Sequence, residues 1–96
     1  MRVVLLDTAR TDLIWFRRYY RRVFPEGGRE GVRRFNRMLK ALALMPELGR
    51  VVVADNREVQ ISRTPFSIVY RVRSDRIEVL RVWDQRADRR EDGGSG

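Results

Sequence analysis

Cysteine and histidine are both absent from this 96-residue chain, and the two absences remove whole classes of chemistry. Without cysteine there is neither a disulfide framework nor a thiol nucleophile, and without either residue the ordinary zinc sites cannot be assembled. The lack of histidine also removes the side chain that most often serves as a general base near neutral pH. Lysine is nearly missing, with Lys40 its single instance, and no apolar run approaches the length that spans a bilayer. The opening residues, Met1-Arg2-Val3-Val4-Leu5-Leu6-Asp7, have no signal-peptide core. These absences point to a cytoplasmic protein with no membrane partner, no metal and no small-molecule cofactor.

What the chain has in quantity is arginine. Lys+Arg number 21 against 13 Asp+Glu, a formal net charge of +8. The guanidinium group is a planar fork that matches carboxylates and phosphates, so the charge allows two partner classes, an acidic protein or a nucleic acid. A chain of this length supports one core, and residues 1–90 read as a single domain. The sequence after Ala87 is charged and then Gly/Ser-rich, and residues 91–96 read as a disordered tail or an appended linker.

Val3 to Leu6 is a short apolar run that predicts a first strand. Asp7 or Thr8 is placed to supply an N-cap oxygen, with Asp12 in the first turns of the helix that follows. Ala9, Leu13, Phe16, Tyr20 and Val23 recur at helical spacing and predict a core stripe, while Arg17, Arg18, Arg21 and Arg22 form the wet face. Pro25-Glu26-Gly27-Gly28 predicts a break, and a second helix is expected from about Arg29 to Met45, with Val32, Phe35, Leu39 and Leu42 inward. A short link between two amphipathic helices implies an antiparallel hairpin.

Beyond Gly49 the period changes to two. Arg57-x-Val59-x-Ile61, Phe66-x-Ile68-x-Tyr70-x-Val72 and Ile77-x-Val79-Leu80-x-Val82-Trp83 predict three strands, with turns at Thr64-Pro65 and Ser74-Asp75 and an extra strand over Val51–Val53. In the last strand Ile77, Val79 and Trp83 are expected on one face and Leu80 and Val82 on the other, which marks it as central. The fold class is therefore α+β, an N-terminal strand and a two-helix antiparallel hairpin packed on an antiparallel meander of three to four strands.

This order, with Ala9-x-x-Asp12-Leu13-x-x-Phe16-x-x-Tyr19 before it and Leu42-x-x-x-Pro46-x-x-Gly49-Arg50 joining the halves, resembles the RelE/ParE superfamily of bacterial type II toxins over roughly Val3 to Arg86. The resemblance implies one of two activities. RelE-like members cut mRNA in the ribosome with basic residues on the first meander strand, an arginine beginning the next strand and an arginine after the last. Here those positions hold Glu58, Gln60 and Ser67, and only Arg86 matches. Asp84 stands where other nucleases of this fold carry a near-C-terminal histidine. A negative Glu58 would oppose the charge that develops at a scissile phosphate. ParE-like members instead inhibit DNA gyrase by binding it, and the Val82-Trp83 ending looks more like that branch.

The expected target-binding surface is accordingly Arg57, Arg71, Arg81, Trp83 and Arg86, for gyrase or, in the alternative, for the ribosome and its mRNA, in which case Arg86 is the catalytic candidate. Arg57 has a structural alternative as an internal anchor paired with a carboxylate such as Asp12, and Trp83 has one as a core residue. Ile14, Trp15 and Tyr19 exceed what a two-layer core can cover, so they are expected to bind an antitoxin, which in this superfamily contributes an acidic amphipathic C-terminal segment. Completion of the core or of a homodimer is the alternative for these three.

Overall fold

A computed structural model describes residues 1–85. In chain order they form β1 (Arg2–Leu5), α1 (Asp7–Val23), α2 (Pro25–Leu44), a 3-10 turn (Pro46–Leu48), β2 (Arg50–Val51), β3 (Asn56–Gln60), β4 (Phe66–Val72) and β5 (Arg76–Asp84). Arg86 and the 91–96 tail lie outside the described residues.

The strands make one sheet in the order β1-β5-β4-β3-β2. β2 to β5 are antiparallel neighbours, but β1 lies parallel to β5, with Val3 opposite Ile77 and Leu5 opposite Val79. The sheet is thus five-stranded and mixed, where three to four antiparallel strands were expected. Parallel pairing needs a long crossover, which the two helices begin. It lets Val3 and Leu5 pack against the core while their backbone finds partners. The extra strand is only Arg50–Val51, and Val53 is left exposed. β5 sits between β1 and β4, a central position that agrees with its apolar residues on both faces.

The helices lie on one face of this sheet. Ala9, Phe16 and Tyr20 from α1 and Phe35 and Leu42 from α2 are buried against Ile61, Phe66, Ile68, Tyr70, Ile77, Val79 and Val82. Phe16 meets Phe66 edge-on with centroids 4.6 Å apart and lies 5.2 Å from Tyr20. Full burial of such a ring contributes about 2–3 kcal/mol. Val23 departs from the expected stripe and is exposed, because the chain turns away at the next residue.

That turn is shorter than the expected break: Phe24 alone separates the helices. Pro25 occupies the first helical position, where its missing N–H costs nothing and its φ is already helical. Gly27 lies inside the helix, where the Phe24 ring leaves no room for a side chain. A β-carbon at residue 27 would come 2.1 Å from Cδ2 of that ring.

α1 begins differently from the expected cap. Leu6 is the N-cap and makes no side-chain cap bond, while Asp7 sits in the first turn. Thr8 Oγ1 instead donates to the carbonyl of Leu80 (2.6 Å). The cause is a bulge in β5: Val69 pairs with Arg81 and Tyr70 with Val79, so Leu80 is an extra residue. The bulge shifts the side-chain phase. Ile77, Val79 and Val82 therefore face the core together, and Trp83 points to the open face, which corrects the expected grouping.

Past the end of β1, the edge of β5 has no strand beside it, and α1 supplies the bonds. Leu6 N–H donates to Val79 O (3.0 Å), Thr8 reaches Leu80, and Asp12 Oδ2 accepts from the Val82 N–H (2.9 Å). An Asp and a Thr at this spacing let a helix stand in for the missing ladder.

Candidate functional site

The segment from Pro46 to Gly49 is held by two side chains. Tyr70 is fully buried; its hydroxyl donates to Pro46 O (2.7 Å) and accepts from the Gly49 N–H (2.8 Å). Burial pushes the Tyr70 phenol above its ordinary range, opposed by the Gly49 bond and the charge of Arg57. Arg57 lies directly opposite Tyr70 in the ladder, and its Nη1 donates to Gly49 O (2.7 Å) and Glu47 O (3.3 Å). Residue 49 must be glycine for space: a β-carbon there would stand 2.8 Å from the Tyr70 ring and hydroxyl and 2.9 Å from Glu58 O. The Pro-x-x-Gly-Arg turn is thus a clasp. Arg57 anchors it through carbonyls, not through Asp12 as its structural alternative supposed.

The opposite, open face carries Asn56, Glu58, Gln60, Ser67, Arg71, Glu78 and Trp83, read from the register. Glu58 accepts from Arg50 Nη2 (3.0 Å) on one oxygen and from Trp83 Nε1 (3.1 Å) on the other. Gln85 Nε2 donates to Ser67 Oγ (2.6 Å), and Gln60 Nε2 donates to Thr64 O (3.1 Å). Glu58, Gln60 and Ser67 are therefore all engaged inside the chain. At the other end of the sheet Glu78 accepts from Arg71 Nε (2.6 Å) and Arg76 Nε (3.0 Å), with Arg73 3.6 Å away. The Arg71 bond is the main cause that holds the Glu78 carboxyl below the usual glutamate range.

Of the expected target-binding residues, Arg81 and Trp83 are brought together, with the guanidinium carbon 5.6 Å from the indole centroid. Arg81 also pairs bidentately with Asp12 (2.8 and 3.2 Å). Arg71 lies at the far end of the same face, tied to Glu78, and Arg57 lies on the helix side. Ile14 and Trp15 are exposed, Trp15 at 63%, whereas Tyr19 is half-buried and edge-on to Phe66 (6.0 Å).

The two expected surfaces meet. A groove of about 290 Å³ is lined by Asp12, Trp15, Tyr19, Val82, Trp83 and Asp84, with Phe66 at its base. Its rims are α1 on one side and the end of β5 on the other, joined by the Asp12–Arg81 pair. Asp12 is the residue that sequence reasoning placed as a helix-dipole partner and missed as a tether of this groove. Its four-residue offset from Thr8 puts both on one face of α1, but the bulge they meet in β5 has no mark in the sequence. Among the described residues no group of three or more Asp or Glu side chains could hold a metal ion, and no helix is long and apolar enough to cross a membrane.

The model of the family described as ParE toxin of type II toxin–antitoxin system, parDE, matches residues 3–89. A solved structure titled as the chromosomal ParDE TA system from P. aeruginosa is similar in fold, with a TM-score of 0.74 and 26% identity over 85% of this chain and 92% of the other. Among curated proteins none matches the sequence.

Proposed function

Because this chain belongs to the ParE family of toxins from type II toxin–antitoxin systems, we propose that it arrests growth in the bacterial cytoplasm by binding DNA gyrase, and that a cognate antitoxin neutralises it. The observation that carries the binding reading over a nuclease is the state of the open sheet face. Both oxygens of Glu58 accept hydrogen bonds, and Ser67 and Gln60 are bonded within the chain. Among the described residues the positions where RelE-like members carry their basic groups are thus tied within the chain, and a carboxylate beside a scissile phosphate opposes the transition-state charge.

The groove supports a seat for the antitoxin on this rim. An amphipathic segment seated on Ile14, Trp15 and Tyr19 reaches Trp83 across it, so the antitoxin and the target compete for one rim. Exposed aromatic side chains flanking a groove are the kind that anchor such segments.

The test is induced expression with two readouts, plasmid supercoiling and primer-extension mapping of cellular mRNA, each with and without the antitoxin. Loss of supercoiling without mRNA cuts is the expected result. Ribosome-dependent cuts with normal supercoiling would overturn the reading and return the catalytic role to Arg86.

A further inference from the structure

The positive charge of this protein is not spread over it. Residues 17–40, from the middle of α1 through most of α2, hold nine of the 21 Lys+Arg and two of the 13 Asp+Glu. That segment therefore carries seven of the eight net charges, and the remaining twelve cations face eleven acids. The ion pairs follow the same division. On the sheet Arg50, Arg71, Arg73, Arg76 and Arg81 each pair with a carboxylate, and Arg57 bonds carbonyls. On the hairpin only Arg33 and Arg34 have a carboxylate partner among the described residues, and they share Glu30.

The cations in excess on the hairpin are arranged. Arg17 and Arg21 stand one turn apart on α1, as do Arg29 and Arg33 on α2, and the four line a cleft of about 560 Å³ together with Gly28 and Val32. Like charges at this spacing destabilise a helix, and among the described residues Glu30, shared by Arg33 and Arg34, is the one carboxylate with an ion pair to this face. We infer that the outer face of the α1–α2 hairpin is a docking surface for the sugar–phosphate backbone of double-stranded DNA, bound without regard to sequence. An excess of seven charges over two helices is more than one acidic peptide helix can meet along a single face. A phosphate backbone presents a charge at every nucleotide and accepts the guanidinium fork bidentately. The surface lies on the hairpin, separate from the groove at Trp83, and the inference holds whichever protein the toxin inhibits.

The experiment titrates the full chain against a 20-bp duplex of random sequence by fluorescence anisotropy over a range of salt. Binding should tighten steeply as salt falls. The variant Arg17→Gln/Arg21→Gln/Arg29→Gln/Arg33→Gln should lose about tenfold or more in affinity, and its log–log salt slope should shrink by about 0.9 for each phosphate contact removed. A control with the same change in net charge, Arg2→Gln/Arg10→Gln/Arg50→Gln/Arg63→Gln, should keep most of the affinity and the slope. Circular dichroism melts check that both variants are folded, and the four Arg→Lys changes on the hairpin should restore most of the binding. Equal loss in the control, unchanged binding in the hairpin variant, or no duplex binding at low salt would each overturn the inference. So would a hairpin that binds a glutamate-rich helical peptide and no duplex.

Discussion

Tyr70 concentrates more structural consequence than any other single residue. Its ring fills the core below the sheet and its hydroxyl closes the Pro46–Gly49 turn from both sides. Tyr70→Phe should leave a buried N–H and a carbonyl without their partner and cost about 2 kcal/mol, read from urea unfolding. Glu78 gives a pH dependence. Its folded carboxyl titrates below the ordinary range, so between the folded and unfolded pKa values the unfolded chain binds more protons. Its stabilisation is complete above the unfolded value and is lost as pH falls through the folded one. Denaturation midpoints from pH 7 down to 3 should fall, and in Glu78→Gln they should start lower and fall less. Tyr70 acts in the opposite direction, since its raised phenol withdraws stability only as pH climbs above the ordinary tyrosine range. The Pro46-x-x-Gly49 spacing was legible as a turn from the chain alone. Its partner Tyr70, 21 residues beyond Gly49, was legible only as a strand residue, because hydroxyl partners depend on register.

Among the elements, periodicity identified both helices and every long strand, because each buries one face against a shared core. It failed where one residue changes the phase. β5 is apolar on both faces, so nothing local marks Leu80 as the bulge, and the expected position of Trp83 came out reversed. The hairpin turn was misjudged for a related reason: Gly27 and Gly28 look like breakers in sequence, but inside α2 they leave room for neighbouring aromatic side chains. The parallel β1 had no local signature, since a four-residue apolar run fits either direction. The bulge predicts a coupling. Asp12→Ala should cost about 2 kcal/mol by unpairing the Val82 N–H, while Asp12→Asn keeps an acceptor there and should cost less. A double-mutant cycle of Asp12→Asn with Arg81→Gln should give a positive coupling energy, and additivity within about 0.3 kcal/mol would mean the pair does not tether the groove.

Across the whole molecule, the arginines divide into two populations. Most of those on β2, β4 and β5 are neutralised by acids that the fold places beside them, and a residue count cannot show that. Those on the hairpin far outnumber their acids, with Glu30 shared by Arg33 and Arg34, and a count by element does show it. The groove likewise joins residues 12 to 19 with 82 to 84, and its aromatic rim was legible while its closeness to Trp83 was not. Trp15 offers the cleanest test of that rim. At 63% exposed it adds little to the fold, so Trp15→Ala should change unfolding free energy by no more than about 0.5 kcal/mol. Antitoxin affinity, measured by calorimetry, should fall about tenfold or more. Equal losses in both would place Trp15 in the core.

The pairing of β1 with β5 also has a consequence for how this toxin is made. The strand that holds both halves of the sheet together is the last one described, and β1, at the other end of the chain, cannot pair until Arg76–Val79 exist. At about 5–20 residues per second, a growing chain spends several seconds with both helical segments and part of the meander synthesised but no closed core. Neither the Trp83 groove nor the buried face of the sheet exists during that interval. Chains ending before Ile77 should be unfolded by circular dichroism and harmless when expressed, whereas chains ending after Gln85 should fold. A toxin whose centre is completed last should be inert as a nascent chain, which would give an antitoxin time to be present before there is anything to restrain.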